Sequence, residues 1–120
     1  MTETKVVPAP GREPTPGRLW VAVRRAEASS IDLMSLTDQR DLVFMVGQVK
    51  LILVFRAEVP ACSYVEAKVR VGRHTSAPRR LLFAQNNQVG KFTVRVYRHD
   101  PGEQAQQDFD APVDPIGLQL

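Results

Sequence analysis

Hydrophobic and polar residues alternate along several short segments of this chain, which is the pattern of half-buried β-strands. Segment 63–71 is the clearest, because Val65, Ala67 and Val69 alternate with charged or aromatic residues. This criterion, together with short aliphatic runs, predicts six strands, at 18–25, 41–46, 49–55, 63–71, 81–85 and 91–98. Segment 26–39 has no clear period and is rich in Ser and Asp, which predicts a loop or a short helix. The pattern therefore predicts an all-β fold, a small antiparallel sandwich or barrel of jelly-roll-like character.

The second and third of these strands form the best hairpin candidate. They are separated by Gly47-Gln48, and glycine at the first central position favours a type II′ turn. Both strands are apolar at nearly every position, whereas a strand with one solvated face alternates. The run of apolar residues indicates burial on two faces or at an interface.

Proline and glycine divide the chain into three parts. Residues 1–17 form a Pro-rich extended arm, 18–98 form the β-core, and 99–120 form an acidic extended arm that begins before Asp100-Pro101-Gly102. The arms are too poor in apolar residues to fold alone and are expected to dock on neighbouring subunits. The residues predicted to make those contacts are Val6, Val7, Pro8, Pro10, Phe109, Val113, Ile116, Leu118 and Leu120.

Charge is segregated in the same way. Residues 18–98 contain fourteen Lys/Arg and six Asp/Glu, whereas residues 99–120 contain five Asp/Glu and no Lys or Arg. The net charge of +3 therefore conceals a basic core followed by an acidic tail. Charge blocks of this kind are typical of interaction tails.

Arginine is concentrated in and around the loop 73–80. The guanidinium fork pairs with two oxygen atoms at once, so this loop is suited to phosphate or to carboxylate, including the acidic tail of the same or a neighbouring chain. The sequence leaves these two ligands open. The predicted basic surface consists of Arg70, Arg73, Arg79, Arg80 and Arg95.

Signals for catalysis, metals or cofactors are poor. His74 and His99 have no nucleophile or acid partner at motif spacing, and no phosphate-binding or dinucleotide-binding glycine motif is present. Cys62 is the single cysteine, which excludes an intrachain disulfide and a cysteine-based zinc cluster. We therefore expect a protein that is not an enzyme and holds no cofactor. The chain shows no apolar run of signal-peptide or transmembrane length, so the expected location is a virion or the cytoplasm, without secretion.

The first functional hypothesis is a structural assembly protein. In layout, a small all-β core with extended arms and no active site resembles the decoration or cement proteins of virus and phage shells. The resemblance implies homo-oligomers and a larger structural partner such as a capsid subunit.

Two alternatives remain open. The first is a β-barrel that binds single-stranded nucleic acid and is regulated by its acidic tail, which competes for the basic face. The outward residues Tyr64, Lys68 and Arg70, taken together with Arg95 and Tyr97, would form that aromatic and basic face. A bland interpretation of the same residues is cross-strand pairing, for example Glu66 with Arg95. The second alternative is a C2-like adaptor whose basic loop contacts anionic membranes or peptides.

Overall fold

Two antiparallel sheets account for most of residues 18–58 and 62–110, which are the part of the chain that the computed structural model describes. The strands are β1 (Arg18–Arg25), β2 (Asp32–Thr37), β3 (Leu42–Val46), β4 (Val49–Glu58), β5 (Cys62–Val71), β6 (His74–Thr75), β7 (Arg79–Arg80), β8 (Asn87–Val89) and β9 (Phe92–Tyr97). A helix, α1 (Gln104–Asp110), follows β9. The predicted all-β class is confirmed.

Sheet I has the strand order β2-β1-β9-β8. Its central pair is β1 and β9, in which Val23 lies opposite Val94 and Val21 lies opposite Val96. These four valines are buried on the inner face, while the alternate positions point outward. The alternation that predicted strands 18–25 and 91–98 is thus confirmed, including the inward face of each.

Sheet II has the order β3-β4-β5-β6, and β7 also pairs with β5 on the side that β6 occupies. The predicted hairpin is confirmed, since β3 and β4 are antiparallel neighbours and Val46 lies opposite Val49 next to the turn. Gly47 has a φ of +58°, while Gln48 is not among the non-glycine residues with positive φ. That combination is the pattern of a type II′ turn.

The hydrophobic core lies between the inner faces of the two sheets. Every strand with five or more residues contributes to it, as expected when alternate side chains of each strand point the same way. Its buried members are Leu19, Val21, Val23, Leu36, Leu42, Phe44, Leu51, Leu53, Phe55, Val65, Ala67, Leu81, Val89, Phe92, Val94 and Val96. The two sheets therefore form a β-sandwich around one core.

A second, smaller cluster lies on the outer face of sheet I. Ala22 of β1 is buried there beneath Ala105 and Phe109 of α1. Partly buried Ile31, Leu33 and Tyr97 pack around these three residues. The helix therefore covers the outer side of sheet I.

The structure corrects the prediction for segment 26–39, because β2 occupies most of its second half. Leu36 lies opposite Leu19 and is fully buried, which anchors the strand in the core. Leu33 lies opposite Ala22 and faces the smaller cluster instead. Long-range pairing with β1 thus outweighs the local turn preference of the Ser and Asp residues.

The boundaries between 79 and 90 are also corrected. The sequence predicts a strand at 81–85, whereas short strands occupy Arg79–Arg80 and Asn87–Val89. Leu81 is buried as a core residue although it follows the end of β7. A buried leucine in a connecting segment and a buried leucine in a strand look alike in the sequence, because both are apolar residues in a short apolar run.

The prediction of an extended arm at 99–120 is wrong for residues 104–110, which form α1. Asp100-Pro101-Gly102 makes a turn within the described fold, where Gly102 has a φ of +57° and its N–H donates to Asp100 Oδ1 at 2.9 Å. A helix of seven residues is not stable alone and requires the contacts of Ala105 and Phe109 with sheet I. The other predicted arm contacts lie outside the described residues, namely Val6, Val7, Pro8, Pro10, Val113, Ile116, Leu118 and Leu120.

Candidate docking surface

The outer face of sheet II carries a strip of aliphatic side chains. Val43 of β3 lies opposite Ile52 of β4, and both point away from the core. Val43 is 54% exposed and Met45 is 46% exposed, while Ile52 and Val54 are half-buried. Four neighbouring apolar residues on the outer face of one sheet form a patch of the kind that marks interaction sites.

Positive charge surrounds this strip. Ile52 lies opposite Lys68 of β5, and Lys50 lies between Met45 and Arg70 in the adjoining row. Arg56 and Arg80 add two further cations, and the acidic Glu66 lies on the same face. We call this surface the apolar–basic face, and its members are Val43, Met45, Lys50, Ile52, Val54, Arg56, Tyr64, Glu66, Lys68, Arg70 and Arg80.

Several of the arginines on this face are held in place by contacts within the chain. Arg56 Nε donates to Glu66 Oε1 at 3.0 Å, and Arg70 Nε donates to the Gly72 carbonyl at 3.0 Å. The Arg80 guanidinium lies 4.0 Å from the centre of the Tyr64 ring, which is a cation–π contact. These contacts set the positions of the arginine side chains before any partner arrives.

The two lysines differ from these arginines, because Lys50 and Lys68 have no acidic partner within residues 18–58 and 62–110. Lys50 also lines a shallow cavity of about 220 Å³ with Met45, Gln48, Arg70 and Gly72. This cavity places two cations beside an exposed methionine at one end of the face. A partner that supplies a carboxylate here would neutralise charge that the described part of the chain leaves unpaired.

The five residues of the predicted basic surface do not form one surface. Arg70 and Arg80 belong to the apolar–basic face, and Arg73 lies in the exposed turn before β6. Arg79 lies opposite the buried Ala67 and reaches sheet I, where it donates to the Gln88 carbonyl at 2.5 Å. Arg95 lies on the outer face of sheet I, on the other side of the sandwich.

Arg95 instead belongs to a polar cluster that fastens α1 to sheet I. The Tyr97 hydroxyl donates to Asp108 Oδ2 at 2.6 Å, and Arg95 Nε lies 3.6 Å from the same oxygen. Gln104 Nε2 donates to Asp108 Oδ1 at 3.1 Å. The expected pair of Glu66 with Arg95 is wrong, since these residues lie on different sheets and pair with Arg56 and Asp108 respectively.

This cluster changes the acid–base properties of two groups. Burial, and after it the hydrogen bond to Asp108, raises the pKa of the Tyr97 hydroxyl well above its usual range. The hydrogen bond from Tyr97 lowers the pKa of Asp108, and Gln104 and Arg95 act in the same direction against desolvation. Asp108 is therefore a stable anion at neutral pH that favours attachment of the helix.

A second contact lies at the end of the helix. Arg24 Nη1 lies 3.5 Å from Asp110 Oδ1, and its guanidinium lies 5.1 Å from the centre of the Phe109 ring. Asp108 and Asp110 thus pair with core arginines of the same chain, Arg95 and Arg24. Whether the arginines of loop 73–80 meet phosphate or carboxylate stays a prediction.

Phe109 was assigned to a partner-binding arm, and the structure corrects this assignment. Its side chain is 4% exposed and packs on Ala22 and Ala105 of the same chain. The aliphatic strip, by contrast, was not among the predicted site residues. Its sequence signal was the apolar character of both faces of β3 and β4, which indicated an interface but not its location.

The described residues contain neither a cluster suited to a metal ion nor a helix suited to a membrane. Within 18–58 and 62–110, no three His, Cys, Asp or Glu residues are grouped so that they could hold a metal ion. Over the same ranges, no helix has the length and apolar character needed to cross a membrane. No protein-family model, curated protein or solved structure matches this chain.

Proposed function

We propose that this chain is a non-enzymatic assembly protein that binds a neighbouring protein subunit through the apolar–basic face. The observation that carries the proposal is the exposure of Val43 and Met45 beside Ile52 and Val54. Burial of this strip against a partner would contribute about 25 cal/mol for each Å² of apolar surface removed from water. The cavity on this face, of about 220 Å³, is below the usual size of a small-molecule site, so the face suits a protein partner better than a small substrate.

The proposal retains the layout that the sequence predicts. A small β-sandwich with additional segments at 1–17 and 111–120 resembles the decoration proteins of virus and phage shells. In this proposal the partner is either a larger structural subunit, such as a capsid protein, or another copy of this chain. The apolar–basic face supplies the contact made by the folded body.

Single-stranded nucleic acid is less well supported. Sequence-tolerant binding of single strands depends on aromatic side chains on which bases stack. The centre of the apolar–basic face is aliphatic, and its one aromatic residue, Tyr64, is in contact with Arg80. Tyr97 and Arg95, which were expected to extend this face, lie on the opposite side of the sandwich.

The test is sedimentation velocity of the full chain over a range of concentrations, at low and at high salt. We expect self-association that the double substitution Val43→Ser and Met45→Ser weakens by at least about tenfold. The matched control is Met34→Ser, since Met34 is 36% exposed but lies on sheet I. Equal association of the variant and the parent chain would contradict the proposal.

The same proteins distinguish the other classes of partner. The parent chain and both variants are also tested for binding to an oligothymidylate and for flotation with anionic vesicles. If the double substitution abolishes either property and Met34→Ser does not, the face binds nucleic acid or lipid, and the proposal is overturned. A strictly monomeric parent chain at high concentration, at either salt, would count against assembly of copies.

A further inference from the structure

We propose that a group of three cations on the outer face of sheet II, Lys50, Lys68 and Arg70, binds a phosphate ion or a phosphate monoester. We call these three residues the cation cluster. The inference goes beyond the proposed function, because it assigns a small-anion site and holds whether or not copies of the chain associate. It follows from the register of β4 and β5, from the contacts of the three cations, and from the cavity beside them.

The register of sheet II brings like charges together. Lys50 of β4 lies directly opposite Arg70 of β5, and both side chains are exposed on the outer face. The Cβ atoms of such a pair are about 5 Å apart, and like charges directly opposite each other destabilise a sheet. Lys68 lies two residues before Arg70 on the same face, on the diagonal from Lys50. The fold therefore holds three positive charges together at a cost in stability, which is typical of residues that serve binding.

Acidic residues within 18–58 and 62–110 do not compensate this charge. Lys50 and Lys68 make no ion pair there, and the Arg70 guanidinium donates to the Gly72 carbonyl through Nε. Glu66 lies on the same face of β5, but its carboxylate accepts from Arg56 Nε at 3.0 Å. An anion that balances the cation cluster therefore comes from outside the described residues.

A cavity beside the cluster gives an anion room to bind. The turns Gly47-Gln48 and Gly72-Arg73 lie at the same end of sheet II, because Val49 lies opposite Val71. The cavity at this end has a volume of about 220 Å³ and is lined by Met45, Gln48, Lys50, Arg70 and Gly72. That volume is below the size of a site for drug-sized ligands, but a single phosphate group is much smaller than such ligands.

The bond from Arg70 to Gly72 prepares the guanidinium for a ligand. Because Nε is engaged by the Gly72 carbonyl at 3.0 Å, the orientation of the guanidinium plane is fixed. Its two terminal nitrogens have no partner within the described residues. Gln48 lines the same cavity and carries an amide N–H₂ group that can donate to an oxyanion. The cavity thus offers donors from two strands and a turn.

The charge of the cluster favours phosphate over carboxylate. A guanidinium donates two parallel N–H bonds to a phosphate, and an ammonium binds phosphate as a point charge. A carboxylate has one negative charge and would leave most of the cluster unbalanced, whereas a phosphate monoester has about 1.5 to 2 at neutral pH. The phosphodiesters of nucleic acids carry a single negative charge and fit the cluster less well for the same reason.

The first test is a titration of the ¹⁵N-labelled full chain with inorganic phosphate, compared with sodium chloride at equal ionic strength. We expect saturable changes in the amide shifts of Gln48, Lys50, Arg70 and Gly72. Lys50→Gln and Arg70→Gln should each raise the dissociation constant by about tenfold, since each removes a charge-assisted hydrogen bond.

The matched control is Lys91→Gln, which removes the same charge from the turn between β8 and β9 on sheet I. It should change the dissociation constant by no more than about twofold. Shifts that phosphate and chloride produce equally would overturn the inference. So would an equal loss of affinity in Lys91→Gln and Lys50→Gln.

The class of anion is tested with three further compounds at the same ionic strength, namely phenyl phosphate, diethyl phosphate and acetate. Phenyl phosphate, a monoester, should bind at least as tightly as inorganic phosphate if the ligand extends along Met45, and more weakly if the site takes the free ion. Either order supports the site and identifies the source of the phosphate. Acetate or diethyl phosphate that binds as tightly as both would overturn the assignment to a dianionic phosphate.

The last test reverses one charge of the cluster. Lys50→Glu places a carboxylate opposite Arg70, and we expect the midpoint of thermal unfolding at low salt to rise by about 2–4 °C. Phosphate should raise the midpoint of the parent chain and of the control Lys91→Glu, because it binds the folded state, and should not raise that of Lys50→Glu. A rise with phosphate that is the same in Lys50→Glu and in the parent chain would overturn the inference.

Discussion

The outer faces of the two sheets differ in what covers them. On sheet I, α1 buries Ala22 under Phe109, and Asp108 and Asp110 lie against Arg95 and Arg24. On sheet II, within the described residues, Val43 and Met45 remain exposed beside Lys50 and Lys68. Within the described residues, the chain thus supplies an apolar and acidic cover for one basic face and none for the other.

The difference teaches how exposed hydrophobic residues should be interpreted here. A sandwich needs only the inner face of each sheet to fold, so apolar residues on an outer face require a separate explanation. On sheet I that explanation is α1. The same reasoning applied to sheet II leads to a cover that lies outside the described residues.

The largest expected effect is on the covered face. We expect Phe109→Ala to lower the free energy of unfolding by about 3 kcal/mol, because it removes the main apolar contact between α1 and sheet I. Chemical denaturation of dilute protein measures the effect. The control Val43→Ala, on the uncovered face, should change stability by no more than about 0.5 kcal/mol. Similar losses for both would abolish the distinction between the faces.

A smaller effect is expected at the polar cluster. Tyr97→Phe removes the 2.6 Å hydrogen bond to Asp108 and should cost about 1–2 kcal/mol, the range for a bond to a charged group. Tyr64→Phe is the matched control, because the Tyr64 hydroxyl makes no hydrogen bond within the described residues. If Tyr97→Phe is as stable as the parent chain, the cluster does not hold the helix.

The smallest effect is the response to acid. Because the folded-state pKa of Asp108 is lowered, its contribution to stability is complete above the usual carboxyl pKa of about 4 and is lost as pH falls through the folded-state value. Hydrogen exchange should therefore become faster in 104–110 than in 49–58 as the pH is lowered, after correction for intrinsic rates. Asp108→Asn should remove that difference, and its persistence in the variant would contradict the assignment.

The sequence predicted those parts of the fold in which a local residue pattern is compatible with a single type of secondary structure. Strict alternation identified β1, β5 and β9, and Gly47-Gln48 identified the hairpin. It failed where long-range contacts decide the structure. Strand β2 is stabilised by Leu36 against β1, and α1 is stabilised by Ala105 and Phe109 against sheet I.

The sequence indicated the chemical character of the candidate site but not which residues form it. Apolar residues on both faces of β3 and β4 indicated an interface, and the excess of arginine indicated anionic partners. Which cations share a surface depends on which sheet each strand joins. That assignment separates Arg95 from Arg70 and cannot be obtained from the spacing of residues along the chain.

The most direct test of the uncovered face uses the two methionines that lie in the described residues. Met45 is on the apolar–basic face and is 46% exposed, whereas Met34 is 36% exposed on sheet I. Rates of methionine oxidation by peroxide are compared by mass spectrometry in dilute and in concentrated protein. Our account predicts that concentration slows oxidation of Met45 severalfold and leaves Met34 unchanged. Unchanged oxidation of Met45 in protein that sedimentation shows to be associated would contradict it.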